Sequence, residues 1–388
     1  MDVIGIIVEY NPFHNGHKYH INKIKEMFPN SLIVAVMNGH FSQRGDVSIL
    51  NKWDKTNIAL DNNIDLVIEL PFPFATQAAD IFSKGAIALL DAIKVDYLIF
   101  GSEINDINIL TKCARIQLES DEYQEAVKDY LDYGINYPMS LAKALKDFTN
   151  INIDKPNDIL GLCYIKELLK INSKIKPLTI KRINDYHDLS LNKNITSASS
   201  IRNAIKNNID IKKYIPKISY QYLKDNTFFI EDYFMFLKYK IMSEINNLNI
   251  YQTVDEGLEA RIKKEIIRSV SLEDLIQNIK TKRYTYNKIK RMFTHILVNF
   301  TKKEANKYQN IEYIRILGFN DLGRNYLNSI RKKVDLPIIT TYQPKISEML
   351  KLEFRTTCIY ASILNEDDKK LLIEKEYKNK PIYKKANN

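Results

Sequence analysis

The segment Asn11-Pro12-Phe13-His14-Asn15-Gly16-His17 carries the densest chemistry in the chain. A short apolar run at residues 3–8 precedes it, and Ile21, Ile24, Met27 and Phe28 follow at helical spacing. That pattern predicts a strand, a turn bent by Pro12, and a helix starting near Gly16. A helix N-terminus presents unpaired N–H groups and a partial positive charge, which suit phosphate. Gly16 has no side chain and would let phosphate approach the backbone. His14 and His17 lie three residues apart at the mouth of that turn. Their imidazoles can donate to phosphate oxygens and stabilise charge that develops at an attacked phosphorus. A lone histidine is more often structural. Two of them bracketing Asn-Gly at a strand-to-helix turn point to nucleotide chemistry.

Such a turn needs a sheet to hold it. Residues 31–37, 65–70 and 96–100 predict three further strands, and 178–183 a fifth. Residues 51–60 and 78–93 predict helices between them. Alternating strands and helices imply parallel βαβ units with right-handed crossovers, an α/β fold. Ligands in such sheets sit at the carboxyl ends of the strands. Three segments follow strand ends, 9–17, 38–44 and 101–103, and are expected to converge on one edge. From about residue 208 the chain becomes rich in Lys, Ile, Leu and Tyr. There, residues 256–270, 272–280 and 286–300 predict amphipathic helices, and 313–317 a short strand. The Lys-rich tail 378–388 is expected to fray. We therefore divide the chain into 1–207 and a mainly α-helical, basic 208–388.

A chain of 388 residues suggests roughly two to three domains. No apolar run reaches the roughly 18–20 residues that span a bilayer, and residues 1–9 lack a basic leader. A cytoplasmic location is the expectation. Cys113, Cys163 and Cys358 are far apart, which argues against a disulfide framework or a zinc site. The net charge of +10 is unevenly placed. Residues 1–150 hold 13 Lys+Arg against 20 Asp+Glu; residues 151–388 hold 44 against 27. A basic half suggests a polyanionic partner, nucleic acid first, although biased genome composition gives the same excess. Lys263, Lys264, Arg268, Lys282, Arg283, Lys288, Lys290 and Arg291 are candidates for an RNA backbone. Tyr284, Tyr286 and Tyr308 suit either unstacked bases or a helical core.

His14-Asn15-Gly16-His17 resembles the His-x-Gly-His signature of the nucleotidyltransferase superfamily. The longer string from Val8 to His17, with Phe41-Ser42-Gln43-Arg44-Gly45-Asp46 and Asn51-Lys52-Trp53, is similar to the bacterial tRNA(Met) cytidine acetate ligase family. So are Pro156-Asn157-Asp158-Ile159-Leu160-Gly161, Ile180-Lys181-Arg182-Ile183 and residues 314–324. The resemblance spans most of the chain. It implies a Rossmann-like nucleotidyltransferase domain with a parallel sheet, followed by a tRNA-binding helical domain. It implies that ATP and acetate form acetyl-AMP, assisted by Mg²⁺. The acetyl group would then pass to N4 of the wobble cytidine of elongator tRNA(Met).

Carried over by match, the ATP site would comprise Ile7, Val8, Glu9, Tyr10, Asn11, Pro12, Phe13, His14, Asn15, Gly16, His17, Lys18, Tyr19 and His20, with Gly101, Asn157 and Arg182. Gly101 would admit adenosine, Asn157 would read adenine or ribose edges, and Arg182 would neutralise phosphate. The string 196–202 resembles the second superfamily motif. Ser197 and Ser199 would then bind phosphate at a helix start, and Arg202 would act with His14 and His17 as a catalytic group. An ordinary helix cap with an exposed arginine is the alternative. Gln43 and Arg44 could face acetate, phosphates or tRNA; Lys55 could meet phosphate or lie on a solvated face. One departure stands out: Asn38-Gly39-His40 occupies the place of the family's Ser-Gly-Asn. Competing functions are another acetate-activating or cofactor adenylyltransferase, and a non-enzymatic RNA-binding regulator. A long basic second half disfavours the former, and intact His14, Gly16, His17 and Arg202 disfavour the latter.

Overall fold

A computed structural model describes residues 1–182, 196–224, 227–255 and 257–385. The expected strand end at Ile183, the helix start at Glu256 and the tail residues 386–388 lie outside the described residues. One sheet contains β1 Val3–Val8, β2 Leu32–Asn38, β3 Leu66–Leu70, β4 Tyr97–Ser102, β5 Lys176–Lys181, β6 Ile314–Phe319, β7 Ile338–Ile339 and β8 Ile382–Tyr383. Its order is β5-β4-β1-β2-β3-β6-β7, with β8 beside β6.

The first five strands are mutually parallel. β2 and β3 are buried along their whole length, which is why they read as continuous apolar runs. Helices Asn15–Met27, Lys52–Asp61 and Ala79–Ala92 make the crossovers, close to their expected positions. For residues 104–174 the sequence pattern is not read as any helix or strand. They contain helices Ile107–Glu119, Asp121–Asp132, Tyr137–Thr149 and Pro156–Lys170.

The sheet is mixed rather than wholly parallel, because β6 joins β3 antiparallel. β6 arrives from the far end of the chain, so no βαβ crossover dictates its direction. Its pairing satisfies the N–H and C=O groups along what would otherwise be the open edge of β3. The second half is mainly helical, as expected, yet lends three strands to the first half's sheet. The tail departs from the expected fraying. Ile382 and Tyr383 pair with β6, and Lys384 Nζ lies 2.6 Å from the Asp61 carboxylate. Among the described residues, no helix is long and apolar enough to cross a membrane.

The chain runs from β1 through β2 to β3 on one side, then returns to place β4 and β5 on the other. The strand order therefore reverses between β1 and β4. A crevice at the carboxyl ends of strands is expected at such a switch point.

Candidate active site

A cleft opens at that switch point. Ile7 to Asn11, His14, Gly16, His17, Tyr19 and His20 line it from the end of β1 and the helix after it. Phe100 and Gly101 contribute from β4, Asn157 and Tyr164 from the Pro156–Lys170 helix, and Ile180 to Arg182 from β5. Gln43, Arg44 and Asp46 close one side; Thr196 to Ser199 and Arg202 close another. Four expected ATP-site residues stand outside this lining. Pro12 and Phe13 are buried behind the turn, and Phe13 packs edge-on against Tyr10 at 4.7 Å. Asn15 turns to the second half, where its Nδ2 donates to the Lys213 carbonyl at 2.9 Å. Lys18 is exposed on the helix. Tyr10 adopts a left-handed backbone, φ 49°, which side-chain-bearing residues adopt uncommonly.

The two histidines form a unit. His14 caps the helix, its Nδ1 accepting from the Gly16 N–H at 3.0 Å. His17 Nδ1 accepts from the His14 N–H at 3.2 Å. The rings stack with centroids 3.8 Å apart. An Nδ1 that accepts leaves the proton of a neutral ring on Nε2. Burial, with Arg182 and Arg202 nearby, pushes His14 down to about 3. Burial and then His14 hold His17 well below the ordinary imidazole range. Burial and Arg182 push His20 down to about 4. All three rings are thus neutral donors at pH 7.

This arrangement differs from the expected backbone cradle. The Asn15 N–H donates to the Tyr214 carbonyl at 3.0 Å, and the His17 N–H to the His14 carbonyl at 2.9 Å. The Gly16 N–H is taken by His14. The imidazoles accept from the helix start and offer Nε2–H groups in its place, so the donors are side chains.

Glu103 organises the opposite wall, although only its segment, not its role, was singled out from sequence. Its carboxylate accepts from Asn157 Nδ2 at 2.6 Å and lies 3.6 Å from Arg182 Nε. Buried Asp158 fixes that turn by accepting from Ser102 Oγ at 2.5 Å and the Glu103 N–H at 3.0 Å. A Cβ on Gly101 would meet Arg182 Cγ at 3.2 Å. The missing side chain at Gly101 makes room for Arg182. Glu103→Gln keeps an amide oxygen for Asn157 but removes the charge that holds Arg182. We expect the KM for ATP to rise about tenfold, the scale of one charge-assisted bond, with a smaller change in kcat. Initial-rate kinetics at varied ATP check this; an unchanged KM rejects the positioning role.

Arg202 joins the two motifs. Its Nη1 donates to the Asn11 carbonyl at 2.7 Å, and its Nη2 lies 3.7 Å from the Asp46 carboxylate. Ser197 is the cap of the Ala198–Lys206 helix, accepting from the Ser200 N–H at 3.1 Å. Gln43 donates through its N–H to Glu9 at 2.6 Å and through Nε2 to the Gln77 carbonyl at 2.7 Å. Its amide thus anchors the loop. Arg44 is mostly buried, which lowers its pKa from the usual range against the pull of Glu9.

Lys55 lies neither in the cleft nor on a solvated face. It is buried, and its Nζ donates to the carbonyls of Glu9, Asn38 and Gly39 at 3.1, 2.9 and 2.8 Å. Asn38 and His40 are buried behind the cleft. Asn38 Nδ2 donates to the Phe41 carbonyl, and His40 stacks on Tyr360 at 4.4 Å. The departure at these two positions therefore changes contacts behind the cleft, from Asn38 to Phe41 and Lys55 and from His40 to Tyr360, rather than the cleft lining. Tyr284 and Tyr308 are core residues, whereas Lys264, Arg268, Lys282 and Arg283 are exposed. Cys113 and Cys163 are buried free thiols, and Cys358 is partly buried. Among the described residues, no group of His, Cys, Asp and Glu could hold a metal ion alone.

The comparisons agree with this geometry. The HIGH Nucleotidyl Transferase family model matches residues 1–375. The tRNA(Met) cytidine acetate ligase of Anoxybacillus flavithermus is 39% identical over 400 residues, covering 98% of this chain and 100% of that protein. That of Caldicellulosiruptor saccharolyticus is 42% identical, covering 99% of each. Thermotoga maritima TmcAL, solved in its apo form, superposes with a TM-score of 0.92 at 32% identity, over 99% of this chain and 100% of that one. The same protein bound with alpha-thio ATP gives 0.90 at the same identity and coverage. Likeness of this extent, over a cleft built from both nucleotidyltransferase motifs, means that the chain belongs to the tRNA(Met) cytidine acetate ligase family.

Proposed function

We propose that this protein uses ATP to activate acetate as acetyl-AMP and transfers the acetyl group to N4 of the wobble cytidine of elongator tRNA(Met). The observation that carries this reading is the stacked, neutral His14–His17 pair facing Arg202 and Arg182 across the switch-point cleft. An acetate oxygen attacks the α-phosphorus, and the bond to pyrophosphate breaks. His14 and His17 donate to the α-phosphate oxygens as negative charge builds there. Arg202 and the start of the Ala198–Lys206 helix, with Ser199 in its first turn, take the charge of the departing pyrophosphate. Asn157 and Arg182, held by Glu103, orient the nucleotide. Mg²⁺ carried on the ATP phosphates supplies further charge neutralisation, as such ions commonly bind through substrate phosphates.

In the second step, the cytidine N4 attacks the acetyl carbonyl and AMP leaves. An anticodon loop lowers the cost of unstacking the base. Residues 1–207 serve as the catalytic part in this reading. Residues 208–388 serve as the tRNA-binding part, with exposed Lys264, Arg268, Lys282 and Arg283 meeting backbone phosphates. Reaction with ATP and tRNA puts the protein in the cytoplasm. Labelled acetate, ATP, Mg²⁺ and total tRNA test the whole sequence. Label is expected in N4-acetylcytidine. Label that stops at acetyl-AMP points to a different acceptor, and failure to consume ATP overturns the activation step.

A further inference from the structure

A second pocket adjoins the ATP cleft. It shares Asp46, Ser199 and Arg202 with the cleft. On its far side stand Phe229, Tyr286 and two lysines, Lys206 and Lys290.

Asp46 is set at the boundary between the two spaces. Lys290 pairs with one of its carboxylate oxygens, and Arg202 Nη2 lies 3.7 Å from the other. Burial raises the Asp46 pKa, but Lys290 and Arg202 outweigh it and keep the group ionised. Its loop is pinned to the Tyr286–Val298 helix, where Thr294 Oγ1 donates to the Gly45 carbonyl at 2.7 Å. Gly45 has φ +80°, and a Cβ there would lie 2.5 Å from the Arg291 nitrogen. Only glycine lets the loop come this close. Asp46 is therefore positioned by the second half of the chain.

Phe229 and Tyr286 supply aromatic lining, while Lys206 and Lys290 are paired with the acids Glu231 and Asp46 that also line the pocket. Lys206 Nζ sits 4.8 Å over the Phe229 ring, and Lys290 Nζ 5.7 Å over the Tyr286 ring. A carboxylate accepts from an N–H and repels a carbonyl oxygen. Aromatic walls suit a planar ring, and Arg202, Lys206 and Lys290 together outnumber Asp46 and Glu231, which suits a phosphate chain. The matching ligand is a nucleobase with an exocyclic amine, presented on a polynucleotide. An amine held by Asp46 would lie at the boundary shared with the cleft, beside Ser199 and Arg202.

We propose that this pocket receives the acceptor cytosine, with Asp46 accepting a hydrogen bond from its exocyclic amine and Phe229 stacking on its ring. This rests on the tRNA acetylation proposed above. Uracil is excluded because its O4 would face the carboxylate.

Full-length Phe229→Ala tests the pocket, since Phe229 is half-buried and lines this pocket but not the cleft. Acetate-dependent ATP–pyrophosphate exchange should stay within about twofold of the unmodified protein. The kcat/KM for acetyl transfer to tRNA should fall about 5- to 150-fold, as when one stacking aromatic is removed. Phe229→Trp should restore it. A second measurement uses anticodon stem-loops that differ only by C or U at the wobble position, bound without ATP. The unmodified protein should prefer C by about 5- to 150-fold, and Asp46→Asn should bring the two within about threefold. Wild-type transfer by Phe229→Ala, exchange and transfer lost together in that variant, or equal binding of the two loops each overturns the pocket. An unmodified protein that neither exchanges nor acetylates tRNA fails the parent reading instead.

Discussion

His17→Ala is expected to lower acetate-dependent ATP–pyrophosphate exchange by about 10²–10³-fold, the usual cost of one lost transition-state donor. His14→Ala should fall by a similar factor. The double variant should cost little more than the worse single one, because the rings work as a unit. Each is tied to the other through the His14 N–H and through stacking at 3.8 Å. The His14 substitution also removes the helix cap, worth about 1 kcal/mol, so thermal unfolding must accompany the rates. Exchange by His17→Ala within tenfold of the unmodified protein would remove the pair from the mechanism.

The charge state of the pair makes this prediction sharper. Burial pushes His14 down to about 3, so its neutral Nε2–H form persists well below neutral pH. Exchange should therefore show no limb from these rings between about pH 5.5 and 8. Activity tied to them is lost only on the acid side, as pH falls toward the lowered pKa. Cationic histidines acting as general acids would give the opposite sign, a rate that falls as pH rises through about 6.5. The pH profile of kcat/KM for ATP distinguishes the two.

The parallel strands and their crossover helices were legible because buried strands read as unbroken apolar runs and helices keep their spacing. The His14–His17 turn was legible because its chemistry is local. What escaped depends on partners far along the chain. β6 showed as a strand, but nothing local states that it pairs antiparallel with β3. Glu103 looks like any acid after a strand until Asn157, 54 residues on, donates to it. Lys55 has the spacing of a solvated residue, and only folding brings the Glu9, Asn38 and Gly39 carbonyls around it. Asp46 was visible as part of a motif, but not its partner Lys290 on a helix of the other half.

Lys52 is the clearest case of a residue whose role is set by distant partners, and Lys52→Met is expected to lower stability by about 3–5 kcal/mol. Its Nζ lies 2.7 Å from Glu69 and 2.9 Å from Glu376. Arg315 Nη1 lies 3.2 Å from Glu69 and also pairs with Glu376. All four side chains are almost wholly shielded from water. A fifth group, Glu353, is pushed up to about 8 by burial and then by Glu69, so it stays protonated at neutral pH. Two cations thus balance two anions. Methionine fills the lysine's space but leaves Glu69 and Glu376 to share one arginine, an uncompensated buried charge. Adding Glu376→Gln to Lys52→Met should cost less than the two single changes combined, because it removes that charge. These residues tie the Lys52–Asp61 helix, β3, β6 and the Glu366–Lys378 helix together. The loss should therefore appear as one cooperative urea transition at a lower midpoint. Glu353 adds a pH signature. Its folded pKa is raised, so its contribution is full below the unfolded carboxylate value and is lost as pH rises through about 8. Glu353→Gln should flatten the fall in unfolding temperature between about pH 4.5 and 8. A Lys52→Met change below about 1 kcal/mol would mean that packing, not charge balance, holds the two halves together.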